Sequence, residues 1–349
     1  MVRRISALFS LLVLLTCPAL PQTAETRQEN LATKAGDIKL EVDLVMMDAQ
    51  VMQQKNGRVV GNLKRDDFLL FEDGVKQQIT HFSQNTLPLS VILLVDRGGC
   101  LDPYNERVHK ATLEALNLLK PDDEVALMAF SDNVELVQGF RTYKRSIGEA
   151  LKRLPEHVEE APHCFNRAFF EAADYMRRAA NPDGRRVIIM VTALTRTFDC
   201  SGPSGDEVRN AVFESGSVVC GLIPTSAGQR FENGVLSGLA GIAGAFKAKT
   251  SSLKQLAEET GGEVLTAKQH LIDSAFNDLV AHLRTRYNIG FIASEGKVDG
   301  KFHKLRLEVA PEVQARDAKL VVKTRRGYVA RRPAPGTVDS RTGKIEEKR

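Results

Sequence analysis

The chain has 349 residues, of which 43% are hydrophobic and 26% charged. Single cores stop growing near ~250–300 residues, so more than one core is expected. The formal net charge is +4. Arg3, Arg4 and the basic residues after Ala330 account for all of it, so the body is near neutral and carries no footprint for nucleic acid.

Arg3-Arg4, the apolar run Ile5–Leu15 and then Cys17-Pro-Ala-Leu-Pro-Gln read as a secretory signal peptide over residues 1–22. An uncleaved signal anchor is the alternative. Lipidation of Cys17 is disfavoured because Leu14-Leu15-Thr16 lacks the small residues that precede a lipidated cysteine. No other segment is long and apolar enough to span a bilayer, so no membrane span is expected after signal cleavage. Residues 23–37 are polar and read as a linker.

From residue 38 the pattern becomes β. Ile38, Leu40, Val42, Leu44 and Met46 alternate with mostly polar residues over one long strand. Gln53–Arg58, with Asn56-Gly57 at its tip, predicts a turn, and Asp67–Phe71 and Val75–Phe82 flank a second one at Glu72-Asp73-Gly74. These residues form an N-terminal β flank over 38–88. The short run Val91–Val95 then ends in Asp96-Arg97-Gly98-Gly99-Cys100, the pattern of a strand buried on both faces of a parallel sheet. Helical spacing follows at Arg107–Leu119, Ile147–Leu154, Phe165–Ala180, Ser251–Thr260 and Leu271–Arg286. Buried strands are expected at Glu124–Phe130, Arg186–Val191, Ser217–Ile223 and Glu263–Leu265. This alternation predicts an α/β domain over 89–285 with a doubly wound, mainly parallel sheet and right-handed crossovers. Three late strands, Tyr287–Ala293, Lys304–Val309 and Lys319–Lys323, make a C-terminal β flank over 286–328. Neither flank has enough strands to bury a face alone, so the two are expected to share one β-sandwich with the α/β domain inserted between them. Two separate small layers are the alternative. Residues 329–349 read as a disordered tail.

The run VILLVDRGGC resembles the first strand and loop of a von Willebrand factor type A domain. GRVVGNLKRDDFLLFEDGVKQQITHF, RYNIGFIASEGKVDGKFHKLRLEVA and KTRRGYVA resemble the flanks of the VWFA-related acidobacterial domain family, exported bacterial proteins with such a domain between β-rich segments. The resemblance covers roughly residues 38–330. It implies a site where three loops meet at the carboxyl edge of the sheet. There Asp-x-Ser-x-Ser, a Thr and an Asp hold a divalent metal ion that completes its coordination with a protein ligand.

Matched position by position, that site is degenerate. The first loop offers Asp96, Gly98 and Cys100, so both serines are lost. In HCFNRAFFEAADYM the threonine position is Arg167, and after VIIMV the usual Thr-Asp-Gly is Thr192-Ala193-Leu194. A hard cation needs oxygen ligands, and a thiol is a soft one. No cofactor, and no divalent metal at this site, is therefore expected. Arg167 is expected to pair with Asp96 and fill the vacated position, or else to face solvent. Asp199 offers a substitute ligand or a solvated loop carboxylate.

Without the signal the chain keeps Cys100, Cys164, Cys200 and Cys220. One disulfide is expected among the first three, with Cys164 as a member and either Cys100 or Cys200 as its partner. Cys220, in SVVCGLIP, reads as a buried thiol. A catalytic pair of Cys164 with the adjacent His163 is disfavoured, because Cys–His pairing is set in space and not in sequence. The other histidines show no metal-binding spacing, and Gly98-Gly99 lacks the rest of a phosphate loop. The reading is an exported, periplasmic or extracellular protein without catalytic residues. It would bind a protein ligand or serve envelope assembly. The alternative is a thiol-dependent enzyme or redox protein using Cys100 or Cys164.

Overall fold

The computed structural model describes residues 44–84, 87–154, 161–182, 184–194, 200–225, 252–293, 300–317 and 319–330. The signal segment, the linker, the start of the first predicted strand and the tail beyond Ala330 lie outside them, as does Asp199.

The first described strand is β1 (Leu44–Gln53). It buries Val45, Met47, Ala49 and Val51 and leaves Leu44 51% exposed. The alternation read through Leu44 and Met46 is thus not the buried face. Beyond Met46 its positions turn polar at Asp48 and Gln50, while the other face stays apolar. The turn at Gln53–Arg58 forms, closed by Gln53 N–H to Arg58 O at 2.9 Å. β2 (Phe68–Glu72) and β3 (Val75–Gln77) pair across Asp73-Gly74, whose φ values of +48° and +88° suit the tight hairpin turn. The single strand expected over Val75–Phe82 is instead two. After β3 the chain leaves its sheet and β4 (His81–Gln84) joins the other one.

The α/β insert follows. Its strands are β5 (Leu89–Asp96), β6 (Glu124–Phe130), β7 (Val134–Arg141), β8 (Arg185–Val191), β9 (Val218–Thr225) and β10 (Val264–Lys268). They lie in the order β10-β9-β8-β5-β6-β7, all parallel except β7, which runs antiparallel at the edge. Every residue of β5 is buried. Its side chains alternate between two cores, Val91, Leu93 and Val95 in one and Ile92 and Leu94 in the other. The helices α1 (Asn105–Leu116) and α2 (Lys144–Leu151) cover the first face, and α3 (Phe165–Tyr175), α4 (Gly205–Ser215) and α5 (Leu253–Thr260) cover the second. α6 (Ile272–Arg284) completes the first face through Phe276, Leu279 and Leu283. Each such apolar side chain contributes about 1.5–3 kcal/mol on burial. The helix expected over Phe165–Ala180 ends at Tyr175 and tightens into a 3-10 turn through Arg178. β7 and α4 were not expected from the sequence.

The last elements are β11 (Tyr287–Ile292), β12 (Phe302–Val309), α7 (Pro311–Asp317), β13 (Leu320–Thr324) and β14 (Gly327–Val329). β14 reaches one residue, Val329, into the expected tail. Two four-stranded antiparallel sheets result, β13-β1-β11-β4 and β14-β12-β2-β3. Each mixes strands from before and after the insert, and their facing side chains, among them Met47, Leu70, Tyr287, Phe291 and Leu307, form one core. The strands that flank the insert, β4 and β11, pair directly from Tyr287↔Gln84 to Gly290↔His81. The insert is therefore tied at both ends to one sheet. Arg185 at the start of β8 crosses the seam: Nε donates to Asp48 Oδ1 at 2.8 Å and the other guanidinium nitrogens reach Leu283 O and Arg286 O.

Candidate functional site

Asp96 ends β5 with its side chain fully buried. Burying a carboxylate is costly unless hydrogen bonds compensate, and four donors surround this one. Gly98 N–H and His163 Nδ1 donate to Oδ1 at 3.0 and 2.8 Å. Thr192 Oγ1 and Cys100 Sγ donate to Oδ2 at 2.6 and 3.3 Å. The three loops after β5, before α3 and after β8 thus converge on one side chain, where open α/β sheets place their ligand sites.

The structure replaces the expected Asp96–Arg167 pair with Asp96–His163. Arg167 lies one turn into α3 and turns away from Asp96. Its Nη1 donates to Asp132 O and Asn133 Oδ1, both at 2.9 Å, and its Nη2 to Ser201 O at 3.0 Å. It ties the β6–β7 connection to the segment ahead of α4. Asn166 makes a parallel tie, Nδ2 to Pro203 O at 2.8 Å. The guanidinium is engaged away from Asp96, and Arg167 serves as a clamp on neighbouring loops.

His163 takes the space that Gly98 leaves. A Cβ on Gly98 would lie 2.5 Å from His163 Cε1, well inside van der Waals contact. A side chain at position 98 and the imidazole in this position therefore exclude each other. The next residue anchors the ring: Cys164 is bonded to Cys200 with Cα atoms 5.4 Å apart, and its N–H donates to Ser131 O at 2.9 Å. Of the two candidate partners for Cys164, the structure selects Cys200. Cys100, expected as a possible member of that bond, is a free thiol, as is the buried Cys220.

Burial, then the charge of Asp96, push the Cys100 thiol up to about 12. Burial raises Cys220 to about 12 as well. Cys100 donates to Asp96, with Thr192 Oγ1 a further 3.7 Å contact. His163 also bonds Asp96, so thiol and imidazole share an acceptor and do not form a nucleophile–base pair of the kind thiol catalysis needs. Ala193 follows Thr192 as a buried residue and supplies no side-chain ligand. Magnesium or calcium would find oxygen donors only on Asp96 and Thr192 among these residues, so the cluster does not fit a hard cation.

Residues 91–193 match the family model of the von Willebrand factor type A domain. The matched stretch runs from β5 through the residues after β8 and so takes in Asp96 to Cys100, Arg167, Thr192 and Ala193. Solved structures similar to the chain include the von Willebrand factor type A protein from Catenulispora acidiphila, at TM-score 0.42 and 11% identity, covering 81% of this chain and 73% of that one. An aerotolerance-related membrane protein from Bacteroides fragilis gives TM-score 0.39 and 12% identity over 55% of this chain and 98% of that one. A mutant of the PilB minor pilin from Streptococcus sanguinis gives TM-score 0.40 and 11% identity over 58% of this chain. The chain spans 63% of that pilin and 49% of a proximal thread matrix protein from the mussel byssus. Likenesses this distant concern the fold alone. No curated protein matches the sequence significantly.

Von Willebrand factor type A domains generally act as interaction modules and not as enzymes. Among the described residues no helix is long and apolar enough to cross a membrane.

Proposed function

We propose that this is an exported bacterial interaction protein of the periplasm or cell exterior. Its type A domain would bind a protein ligand or serve envelope assembly without a magnesium-class cation. The observation that carries the reading is the coordination of Asp96. An imidazole, a thiol, one hydroxyl and a backbone N–H surround the carboxylate, a set short of the oxygen ligands that a hard cation needs. Export is supported by the N-terminal Arg3-Arg4 and apolar run and by the Cys164–Cys200 disulfide, a bond that persists in oxidising compartments. The thiol-enzyme reading is disfavoured because Cys164 is in that disulfide and the Cys100 thiol is raised to about 12. A reactive cysteine needs a lowered value.

Affinity capture on the immobilised chain from envelope extracts tests the reading, run with and without added magnesium and calcium. The same partner is expected in both. Capture that appears only with the cation and disappears in Asp96→Ala contradicts it.

A further inference from the structure

We propose that Asp96, Cys100 and His163 form a binding site for a zinc-class transition-metal ion at the carboxyl edge of the central sheet. One ligand atom from each residue lies within 4.8 Å of the others. Asp96 is buried, Cys100 is half-buried and the His163 side chain is 18% exposed, so the cluster opens to solvent on the His163 side.

The donor set decides which ion. A carboxylate oxygen, a thiolate sulfur and an imidazole nitrogen are the ligand types of tetrahedral zinc sites. Zinc bonds of ~2.0–2.3 Å place neighbouring ligand atoms roughly 3.3–3.8 Å apart. The observed edges are 2.8 Å from His163 Nδ1 to Asp96 Oδ1 and 3.3 Å from Cys100 Sγ to Asp96 Oδ2. The two edges end on different Asp96 oxygens and all three ligand atoms lie within 4.8 Å of one another, so an ion held through one oxygen would draw ring and thiol to tetrahedral spacing around it. On binding, the thiol proton leaves to solvent and sulfur ligates as thiolate. The Nδ1 proton that bonds Asp96 is also given up to solvent, and the ring carries its proton on Nε2 instead, so that Nδ1 ligates.

The surroundings orient the ligands as the outer shell of a metal site does. Thr192 Oγ1 and Gly98 N–H hold the Asp96 carboxylate. The Cys164–Cys200 bond fixes the backbone beside His163, and Gly98 gives the ring its room. Three protein ligands leave a fourth tetrahedral position facing solvent, for water or a donor atom of an incoming ligand. The expectation of no divalent metal relied partly on Arg167 entering the site. With Arg167 turned away it is retained for hard cations only, so this inference stands or falls separately from the function proposed above.

The test uses the full chain, stripped of metal and titrated first with cobalt(II) as a spectroscopic probe, then with zinc against a chromophoric chelator. One equivalent of cobalt should produce a thiolate-to-cobalt charge-transfer band, and zinc should displace it with Kd below ~1 µM. Cys100→Ser should abolish the band, and Cys100→Ser and His163→Ala should each weaken zinc binding at least ~10-fold. His163 is partly exposed, so its variant keeps the test open if the Cys100 variant folds poorly. Lack of the band in wild-type protein overturns the proposal. So does zinc affinity unchanged in both variants, which would place the ion on surface histidines, and so does a band that is lost in Cys220→Ala and kept in Cys100→Ser.

Discussion

Gly98 and His163 act as one unit. A side chain at 98 must displace the ring, because its Cβ would stand 2.5 Å from His163 Cε1. Gly98→Ser is expected to destabilise the fold by about 1–3 kcal/mol, the range for overpacking. In the His163→Ala background the same change should cost measurably less. Urea unfolding of the two single variants and the double variant checks this, and additive effects would refute the steric coupling. The disulfide belongs to the same scale. Cys164→Ser and Cys200→Ser should each lower stability by roughly 2–4 kcal/mol and by similar amounts, because each opens the same loop of separation 36. Non-reducing peptide mapping should find Cys100 and Cys220 as free thiols, with Cys220 alkylated only after unfolding. These pairings were partly legible. Cys164 as a bonded residue followed from its loop, but the choice of Cys200 over Cys100 needed the actual approach of the backbones. The engagement of His163 with Asp96 left no spacing signal, because β5 and the turn before α3 meet only through the fold, 67 positions apart in sequence.

Among elements, those whose sequence carries their burial were the readable ones. β6 was expected at Glu124–Phe130 and lies there, since every residue in it is buried and the apolar run is nearly unbroken. β7 was missed because it is an exposed antiparallel edge strand with only intermediate burial. α4 carries a capping-box signal in its sequence. Ser204 caps it by accepting from Glu207 N–H, Glu207 reaches back to Ser204 N–H at 2.8 Å, and Val208, Ala211 and Val212 share its buried face. The strand expected over Val75–Phe82 failed because sheet switching leaves no mark in alternation. The end of α6 carries a pH prediction. His282 Nδ1 lies 2.9 Å from Glu263 Oε1, and this hydrogen bond raises the imidazole above its ordinary value. A raised folded-state value stabilises fully below the unfolded value near ~6.5 and is lost as pH climbs through the folded one. The stability difference between wild type and His282→Gln should therefore be larger at pH ~5.5 than at pH ~9. A difference independent of pH would remove this contact from the account.

For the whole molecule, the insert and the sandwich form one folding problem, because β4 and β11 pair across the insertion and Arg185 crosses the seam to Asp48. Both side chains are largely buried, at 2% and 13% exposure. Removing one partner strands a buried charge, so Asp48→Ala should cost about 3–5 kcal/mol. It should lower the unfolding midpoint of the entire chain in a single transition, monitored by far-ultraviolet circular dichroism. Two separated transitions would show that the sandwich and the insert unfold independently. The interdigitation of the flanks was legible from strand counting alone, since neither flank could cover a face by itself. What strand counting could not supply was the ligand edge, where the expectation of Arg167 against Asp96 gave way to an imidazole, a thiol and a hydroxyl. The central claim is that this edge has lost the hard-cation chemistry of a type A domain. Calorimetric titration of the full chain with magnesium, then calcium, tests it most directly. No saturable binding is expected up to ~1 mM. An affinity tighter than ~0.1 mM that vanishes in Asp96→Ala would contradict it.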